Sequence, residues 1–422
     1  MDSIQLAPYN DSMRLGQGYN SFLQLPCLDG AVKIHASDIQ THVARADPSA
    51  SVSQVVSYNS RFIERISDVA RGINVSAASS IKSGTIGILG NSLGVDEAKF
   101  ADSDLNAVIS VKVINRKLPF LDEVPLRLDP VILKVDRDYY DDQEPRIASP
   151  PHPPFMRLSC SELNRKMKMT NETFFQTFGD CYISGFIQGG DLHGIVSIKA
   201  PDATRKASIE AALKDVMSGS SNEFKLGEEF ASSALESALR ETETTITVSW
   251  SGGGQIKPDG EEWTLESLIR AVSGFPARVA TCPQKTWAVL TPYTQNQSFV
   301  KWAAESKICV PTFSPIEQYT DNLLDSYMLY KRHLALLQAA MRDPLAFREG
   351  KCDNHISLDV YSLVETRKAI KYEMAKIVGI IDSFLLLYLG LSVGRNQDPN
   401  GIIPTEIESA ELWATRLPIL EN

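Results

Sequence analysis

The segment between Gly179 and Lys199 constrains the fold more than any other part of the sequence. Its apolar side chains are interrupted by four glycines, at positions 185, 189, 190 and 194. This pattern predicts one long β-strand that bends at its glycines, because glycine relieves the crowding of a sharply bent strand. We therefore expect a sheet that contains a long, bent strand.

Two further segments have the period-two pattern of a half-buried strand. Residues 107–114 place branched apolar side chains on one face of a strand and Ser110 and Lys112 on the other. Residues 245–250 alternate hydroxyl-bearing side chains with Ile246, Val248 and Trp250. Such alternation places successive side chains on opposite faces. The run Gly252-Gly253-Gly254 that follows predicts a turn, because it lacks the Lys-Ser/Thr pair of a phosphate-binding loop.

Two stretches between the predicted strands are expected to form helical clusters. The second, residues 201–242, carries apolar side chains at helical spacing over 205–217 and 228–240. The first, residues 66–106, is rich in serine, alanine, glycine and isoleucine up to Gly94.

The C-terminal part of the chain predicts a pair of long helices. From Leu323 to Met341, and again from Val360 to Phe384, apolar residues recur at alternating spacings of three and four. Two helices that pack as an antiparallel hairpin explain this pattern most simply. We place a domain boundary at residues 312 and 313, so that residues 313–422 form a C-terminal helical region.

Composition and charge exclude several classes of protein. The chain is 43% hydrophobic and 22% charged, which is ordinary for a folded protein, and its net charge is −10. A negative chain has no general basic field that would attract nucleic acid, so no nucleic-acid partner is expected. The six cysteines are scattered without CxxC spacing or histidine pairing, so we predict neither a metal site nor a cofactor.

The chain start and its most apolar stretch bear on localisation. Residues 1–5 lack the basic and apolar regions of a signal peptide. Residues 377–393 are interrupted by Asp382 and are shorter than the roughly 20 residues that a membrane-spanning helix needs. We therefore expect a cytoplasmic protein, with any membrane association at the surface of the bilayer.

Three motifs carry a resemblance to a known family. They are Leu15-Gly16-Gln17-Gly18-Tyr19-Asn20, the run from Phe178 to Gly185, and the run from Ile246 to Gly254 followed by Trp263. They resemble the glycine-aromatic opening, the signature strand and the final hairpin with its tryptophan helix in the membrane attack complex/perforin (MACPF) superfamily. The resemblance covers about residues 10–312, and the absence of a signal sequence is similar to fungal members. Cys181 departs from the pattern, since an aromatic or charged residue is common there.

The resemblance implies both a fold and a function. The implied α+β fold is a twisted, bent antiparallel sheet flanked by two helical clusters, here 66–106 and 201–242, followed by the C-terminal helical hairpin. The implied function is pore formation, in which the protein binds a lipid membrane, assembles with copies of itself and refolds both clusters into β-hairpins. The glycines at 185, 189, 190 and 194 would then act as a hinge.

Charge patterning keeps two alternatives open. Five charged residues crowd the second arm of the first cluster between Asp96 and Asp104, and Glu228-Glu229 interrupts the second cluster. Each charge near the bilayer midplane costs about 2–4 kcal/mol. The alternatives are a non-lytic scaffold that serves as a protein-interaction module and an enzyme, for instance of a fungal natural-product pathway. For an enzyme acting on a small molecule, the candidate catalytic residues are Tyr182, Asp191 and His193, and a pocket between the sheet and a helical cluster would favour it.

Overall fold

The computed structural model describes residues 5–34, 53–87, 95–116, 126–128, 169–218, 239, 242–350, 352–388 and 407–421. The strands in these ranges are β1 (Gln5–Pro8), β2 (Gly18–Asn20), β3 (Leu25–Pro26), β4 (Val32–Ile34), β5 (Ser53–Phe62), β6 (Leu105–Arg116), β7 (Leu126–Leu128), β8 (Cys181–Lys199), β9 (Glu243–Ser251), β10 (Gln284–Pro292), β11 (Phe347–Arg348) and β12 (Ile419–Leu420).

The two longest of the described helices lie in the C-terminal part of the chain. They are α1 (Ile66–Gly72), α2 (Ala77–Ser83), α3 (Glu97–Asp102), α4 (Asn171–Phe178), α5 (Ala203–Ser218), α6 (Leu265–Thr281), α7 (Gln297–Ser306), α8 (Glu317–Arg342), α9 (Val360–Tyr388) and α10 (Ala410–Arg416). The predicted helix over 205–217 is confirmed as α5. Most of the predicted helix over 228–240 lies outside the described residues.

The predicted long strand is confirmed as β8, a 19-residue strand in the large antiparallel sheet. Its first half, residues 181–189, pairs with β10, and its second half pairs with β6 on one edge and β9 on the other. Two register shifts interrupt the β8–β10 ladder, one of them beside Gly185. Such bulges increase strand twist and bend the strand. The predicted α+β fold with a bent antiparallel sheet is therefore confirmed.

Four strands form the regular part of this sheet in the order β5, β6, β8, β9. The chain segment 63–104 joins β5 to β6, and the segment 200–242 joins β8 to β9. We call these the first and second inserts. Phe62 pairs with Ala107, and Lys199 pairs with Glu243, while Leu105 pairs with Ile198. Both inserts therefore leave the sheet at the same end, and each connects two strands that are already paired.

One face of the sheet is covered by α6 and α5. The core between them contains Leu192 and Val196 of β8, Leu268 and Phe275 of α6, and Leu213 of α5. Burial of these side chains supplies most of the stabilisation of this layer, at about 25 cal/mol for each Å² of apolar area removed from water.

Three of the four bend glycines, Gly189, Gly190 and Gly194, are required by close approach rather than by backbone conformation. None of Gly185, Gly189, Gly190 and Gly194 is among the glycines with positive φ. A Cβ on Gly190 or Gly194 would press on side chains of α6, 2.4 Å from Val279 and 2.5 Å from Leu268. A Cβ on Gly189 would lie 1.9 Å from the carbonyl oxygen of Val113. Their role as a hinge stays a prediction.

We expect Gly189→Ala to destabilise the protein by more than about 3 kcal/mol, because its Cβ would meet backbone that cannot rotate away. Gly274→Ala is the matched control, since Gly274 is exposed in α6 and a Cβ there meets nothing within 4 Å. Alanine at a helix interior should stabilise by about 0.5–1 kcal/mol. Denaturant midpoints measure both effects, and equal midpoints would contradict this account of the bend.

The first insert packs against the C-terminal helices rather than standing alone. One continuous core joins Val69 of α1 and Ile81 of α2 to Leu324 and Leu337 of α8 and Ile370 of α9. The helices α8 and α9 form the predicted antiparallel pair, because Tyr319 at the start of α8 contacts Phe384 near the end of α9 at 5.7 Å between ring centroids. Phe347–Arg348 and Ile419–Leu420 add a short ladder that the sequence pattern did not predict.

Ion pairs reinforce this contact at several points. Arg65 lies 2.6 Å from Asp325, Lys82 lies 2.8 Å from Asp382, and Arg332 lies 2.9 Å from Asp102. Arg71 contacts Asp321, and Lys331 contacts Glu97. Each pair joins the first insert to α8 or α9. Exposed pairs contribute little one by one, so the apolar core dominates the energy and the ion pairs fix the orientation.

Two of the motifs noted in the sequence lie side by side at the start of β8. Gly18 pairs with Tyr182, and Tyr19 pairs with Cys181 and bridges to Gly179. Gly179 has a φ of +78°, and a Cβ there would lie 2.0 Å from the carbonyl oxygen of Tyr19. Glycine is therefore the residue that permits this contact.

The carboxyl of Asp180 is buried in the same contact. It accepts hydrogen bonds from the backbone N–H and the hydroxyl of Ser21, at 2.7 and 2.5 Å. Burial raises the pKa of Asp180 to about 6 from its ordinary value of 3.8, although the hydrogen bonds from Ser21 oppose the rise. The folded protein therefore holds a proton between about pH 4 and 6 that the unfolded chain has lost.

This buried acid should make the folded state less stable as pH rises from 4 to about 6, with no further loss above that. The amide of Asp180→Asn does not titrate. The difference in unfolding free energy between the variant and the parent should therefore change by roughly 3 kcal/mol between pH 4 and about 6. Urea denaturation at pH 4, 5, 6 and 7 measures it. A difference that is flat with pH would contradict the assignment.

Candidate functional site

The two central predicted site residues lie on a polar surface of the four-stranded sheet. Cross-strand pairing sets them in rows, each with one residue from β5, β6, β8 and β9 in turn. The first row is Ser57, Lys112, Asp191 and Ser251, and the second is Asn59, Ser110, His193 and Ser249. This face is opposite the one covered by α6, because Gly190 and Gly194, which alternate with these residues, face α6.

Asp191 and His193 are in direct contact. Oδ1 of Asp191 lies 2.9 Å from Nε2 of His193, because a spacing of two places both side chains on one face of the strand. Both atoms are shielded from solvent, and neither has an aligned hydrogen-bond partner among the described residues. A buried polar atom without such a bond costs about 1–3 kcal/mol. The pair therefore holds unused hydrogen-bonding capacity.

Lys112 and Trp287 lie beside this pair. The Nζ atom of Lys112 is 4.0 Å from the centroid of the Trp287 ring, a cation–π contact. Burial lowers the pKa of Lys112, and the neighbouring charge of Asp191 acts in the opposite direction. The positive charge of Lys112 therefore offsets part of the negative charge of Asp191.

A cleft opens above these residues, between the sheet and the first insert. Its empty space, about 880 Å³ when the open solvent at its mouth is included, lies between a floor of strands and a wall of helices. The floor comes from β5, β6, β8 and β9. The wall formed by the first insert contributes Asp68, Val69, Gly72, Ile73 and Val95.

Tyr182, the third candidate catalytic residue, is not in this cleft. It belongs to another core cluster, where it packs against Tyr293 and its hydroxyl accepts a hydrogen bond from Asn296 at 3.3 Å. Nine residues separate it from Asp191 along an extended strand, a distance of roughly 30 Å at about 3.3 Å for each residue. The predicted grouping of three residues is therefore corrected to a pair.

Sequence reasoning missed the partners of that pair. The alternation in 107–114 showed that Ser110 and Lys112 share a face, but the pairing register that sets them beside His193 and Asp191 is not visible in one sequence. Trp250 is 38% exposed, but it pairs with Leu192, so its side chain lies on the face covered by α6, where its ring is 6.3 Å from that of Trp263. Its exposure could not be predicted from alternation alone.

The arrangement provides an acid–base pair, several hydroxyls and an aromatic surface. A carboxylate 2.9 Å from an imidazole can accept or orient a proton. Among the described residues, no group of three or more histidine, cysteine, aspartate or glutamate side chains is placed to hold a metal ion. In the same part of the chain, every helix is too short or too polar to cross a bilayer.

Comparison with known proteins gives distant structural similarity only. No protein-family model matches the sequence, and no curated protein matches it. The structure of stonustoxin is 8% identical, with 92% of this chain and 44% of that chain covered and a TM-score of 0.39. GNIP1Aa from Chromobacterium piscinae is 12% identical, with 74% and 57% covered and a TM-score of 0.27. Listeriolysin O is 14% identical, with 59% and 41% covered and a TM-score of 0.26.

The chain spans less than two thirds of the length of each of these structures. At these identities and TM-scores, the similarities carry no conclusion about activity.

Proposed function

We propose that this protein binds lipid membranes, assembles with copies of itself, and forms pores by refolding its inserts into β-hairpins. One observation carries the proposal: each insert joins two strands that are already paired, and both leave the same end of the sheet. An insert that unwound into a hairpin would extend those strands without changing their register. The sequence motifs that resemble the MACPF superfamily support the same function.

The first insert is the better membrane-crossing element. If the residue pairing between β5 and β6 continued past Phe62 and Ala107, the two strands would meet in a turn at Gly84 and Thr85. Gly84 already has a φ of +74°, which suits a tight turn. The arms nearest this turn, residues 74–83 and 86–95, have the roughly ten residues that a membrane-crossing strand needs.

Charge is placed favourably in such a hairpin. Between residues 74 and 95 the charged residue is Lys82, while the charges from Asp96 to Asp104 lie next to β6 and so outside the bilayer. Ile73, Val75, Ala77 and Ile81 would share one face of the first arm. The crowding of charges that opposed pore formation in the sequence pattern thus falls on the part of the insert nearest the sheet.

Single cysteines at positions 73 to 78, each labelled with a polarity-sensitive fluorophore, test this proposal on liposomes. We expect leakage of an entrapped dye, ring-shaped assemblies by electron microscopy, and blue-shifted emission at positions 73, 75 and 77 but not at 74, 76 and 78. Liposomes that stay sealed and bare across neutral and anionic compositions would overturn the proposal. Leakage without the alternation would overturn the role of the first insert.

An enzyme is the second candidate, and the cleft with its Asp191–His193 contact favours it. General acid–base catalysis needs such a pair within reach of a bound substrate. Hydrolysis of p-nitrophenyl esters or glycosides, lost in both Asp191→Asn and His193→Gln while the variants stay folded, would support this candidate. The same loss in Asp259→Asn, an exposed residue outside the cleft, would point to a contaminant or to general instability.

A further inference from the structure

We infer that the cleft binds a small, neutral, hydroxyl-rich molecule of the sugar class, and that the bound molecule holds the first insert against the sheet. The cleft is built from two parts of the chain that the proposed function separates. Asp191, His193 and Ser249 lie on the sheet, whereas Asp68 and Ile73 belong to the first insert. The regulatory half of this inference rests on the proposed function, and the binding half does not.

Hydrogen-bonding capacity selects a ligand that carries hydroxyl groups. Oδ1 of Asp191 accepts hydrogen bonds only, and Asp191 is 9% exposed. The Asp191 side chain keeps 12% of its surface exposed, so a ligand hydroxyl can donate to its carboxylate and accept from a neighbouring group at once. An apolar ligand would cover the carboxylate without offering it a hydrogen bond, at a cost that opposes its gain from burial. The same lining offers further hydroxyls that both donate and accept, from Ser110, Thr247, Ser249, Ser251 and Thr286.

The charges around the cleft oppose a strongly charged ligand. The lining contains Arg61, Asp68 and Asp191, and Lys112 lies beside Asp191 beneath it. Two positive and two negative charges nearly cancel. A phosphate would meet two carboxylates, and an ammonium group would meet a guanidinium and a buried amine. A neutral ligand meets neither obstacle.

Aromatic surface completes the match. Tyr9 and Trp287 line the cleft, and Tyr9 is partly exposed there whereas Trp287 is buried. The ring face of a tyrosine can cover the C–H face of a sugar ring, while the sugar hydroxyls point outward to polar partners. Aromatic walls with a few convergent polar groups are typical of small-molecule sites.

Binding at this place is coupled to the position of the insert. A molecule that contacts both walls binds the closed form and not a form in which residues 63–104 have left the sheet. By linkage, such a molecule shifts the equilibrium toward the closed form by a factor set by its concentration relative to its dissociation constant. The cleft ligand would therefore act as an inhibitor of insertion.

The binding half is tested with glucose, galactose, mannose, N-acetylglucosamine and trehalose, each at millimolar concentration, by saturation-transfer NMR and by thermal shift. Inorganic phosphate and choline serve as charged probes. We expect at least one sugar to bind and to lose tenfold or more in affinity with Asp191→Asn and with Tyr9→Leu, while Asp259→Asn binds as the parent does. Binding of no sugar, binding of phosphate or choline alone, or equal binding by the cleft variants would overturn the inference.

The regulatory half is tested by hydrogen–deuterium exchange of residues 66–83 with and without the sugar that binds. We expect at least a threefold slower exchange in that segment and no change in α7, which lies in another core cluster. Unchanged exchange in 66–83 despite binding would overturn the coupling. These readouts use no membrane, so a protein that binds sugar but never permeabilises liposomes refutes the proposed function and leaves the site intact.

Discussion

A reducible crosslink between residues 71 and 321 should abolish leakage from liposomes while membrane binding persists. Arg71 of the first insert contacts Asp321 of α8, so cysteines at these positions lie within reach of a short, reducible bismaleimide. The insert cannot form a hairpin until it leaves α8, because its apolar side chains share a core with that helix. Leakage should return in full when the crosslink is reduced.

The matched control joins α8 to α9 without touching the insert. Tyr319 and Phe384 are in ring contact, so cysteines there accept the same reagent. This crosslink should leave leakage unchanged. Both experiments need accessible native cysteines replaced by serine, including the exposed Cys282 and Cys309. Full leakage from the 71–321 crosslinked protein would show that the first insert does not need to move.

Leu337→Asp should unfold the C-terminal helical pair and uncover the first insert. Leu337 has no exposed surface and lies in the core that joins α8, α9 and the first insert. Replacing a buried leucine with a small side chain costs about 2–5 kcal/mol, and burying a carboxylate adds to that. The total is comparable with the 5–15 kcal/mol that stabilises a typical domain. Urea denaturation followed by circular dichroism should show an early transition or no cooperative transition.

Leu334→Asp provides the comparison within the same helix. Leu334 lies on the predicted helix seam but is only partly buried, so its carboxylate can reach water. We expect a loss of about 1–3 kcal/mol, clearly smaller than at Leu337. Leu337→Met conserves volume and should cost less than about 1.5 kcal/mol. Equal midpoints for the two aspartate variants would show that the packing of α8 differs from that described here.

Local patterns in the sequence predicted the elements of this fold well. The glycine-rich run 179–199, the alternation in 245–250 and the three-four spacing after residue 317 correspond to β8, β9 and the helical pair α8 and α9. The helices of the first insert were harder to define, because serine, glycine and alanine give a weak apolar stripe. What no local pattern showed is that α8 and α9 cover this insert, since that contact joins residues some 250 positions apart.

The site was predicted only in part, for a physical reason. A spacing of two is a local property of a strand, so the contact of Asp191 with His193 followed from the sequence. An odd number of positions separates Tyr182 from Asp191, unlike the spacing of two between Asp191 and His193. Tyr182 also lies on the other half of the strand, beyond the bend. The serines and Lys112 lie beside Asp191 and His193 because of the register between neighbouring strands. Register depends on the whole sheet and cannot be deduced from one strand.

The cover over the first insert also sets an order of events during synthesis. The ribosome releases residues 63–104 long before α8 and α9, so the nascent chain carries this insert without the helices that bury its apolar side chains. Contacts between such distant segments form late in folding. A chaperone that shields the insert until residue 388 has emerged would therefore protect the newly made chain from aggregation.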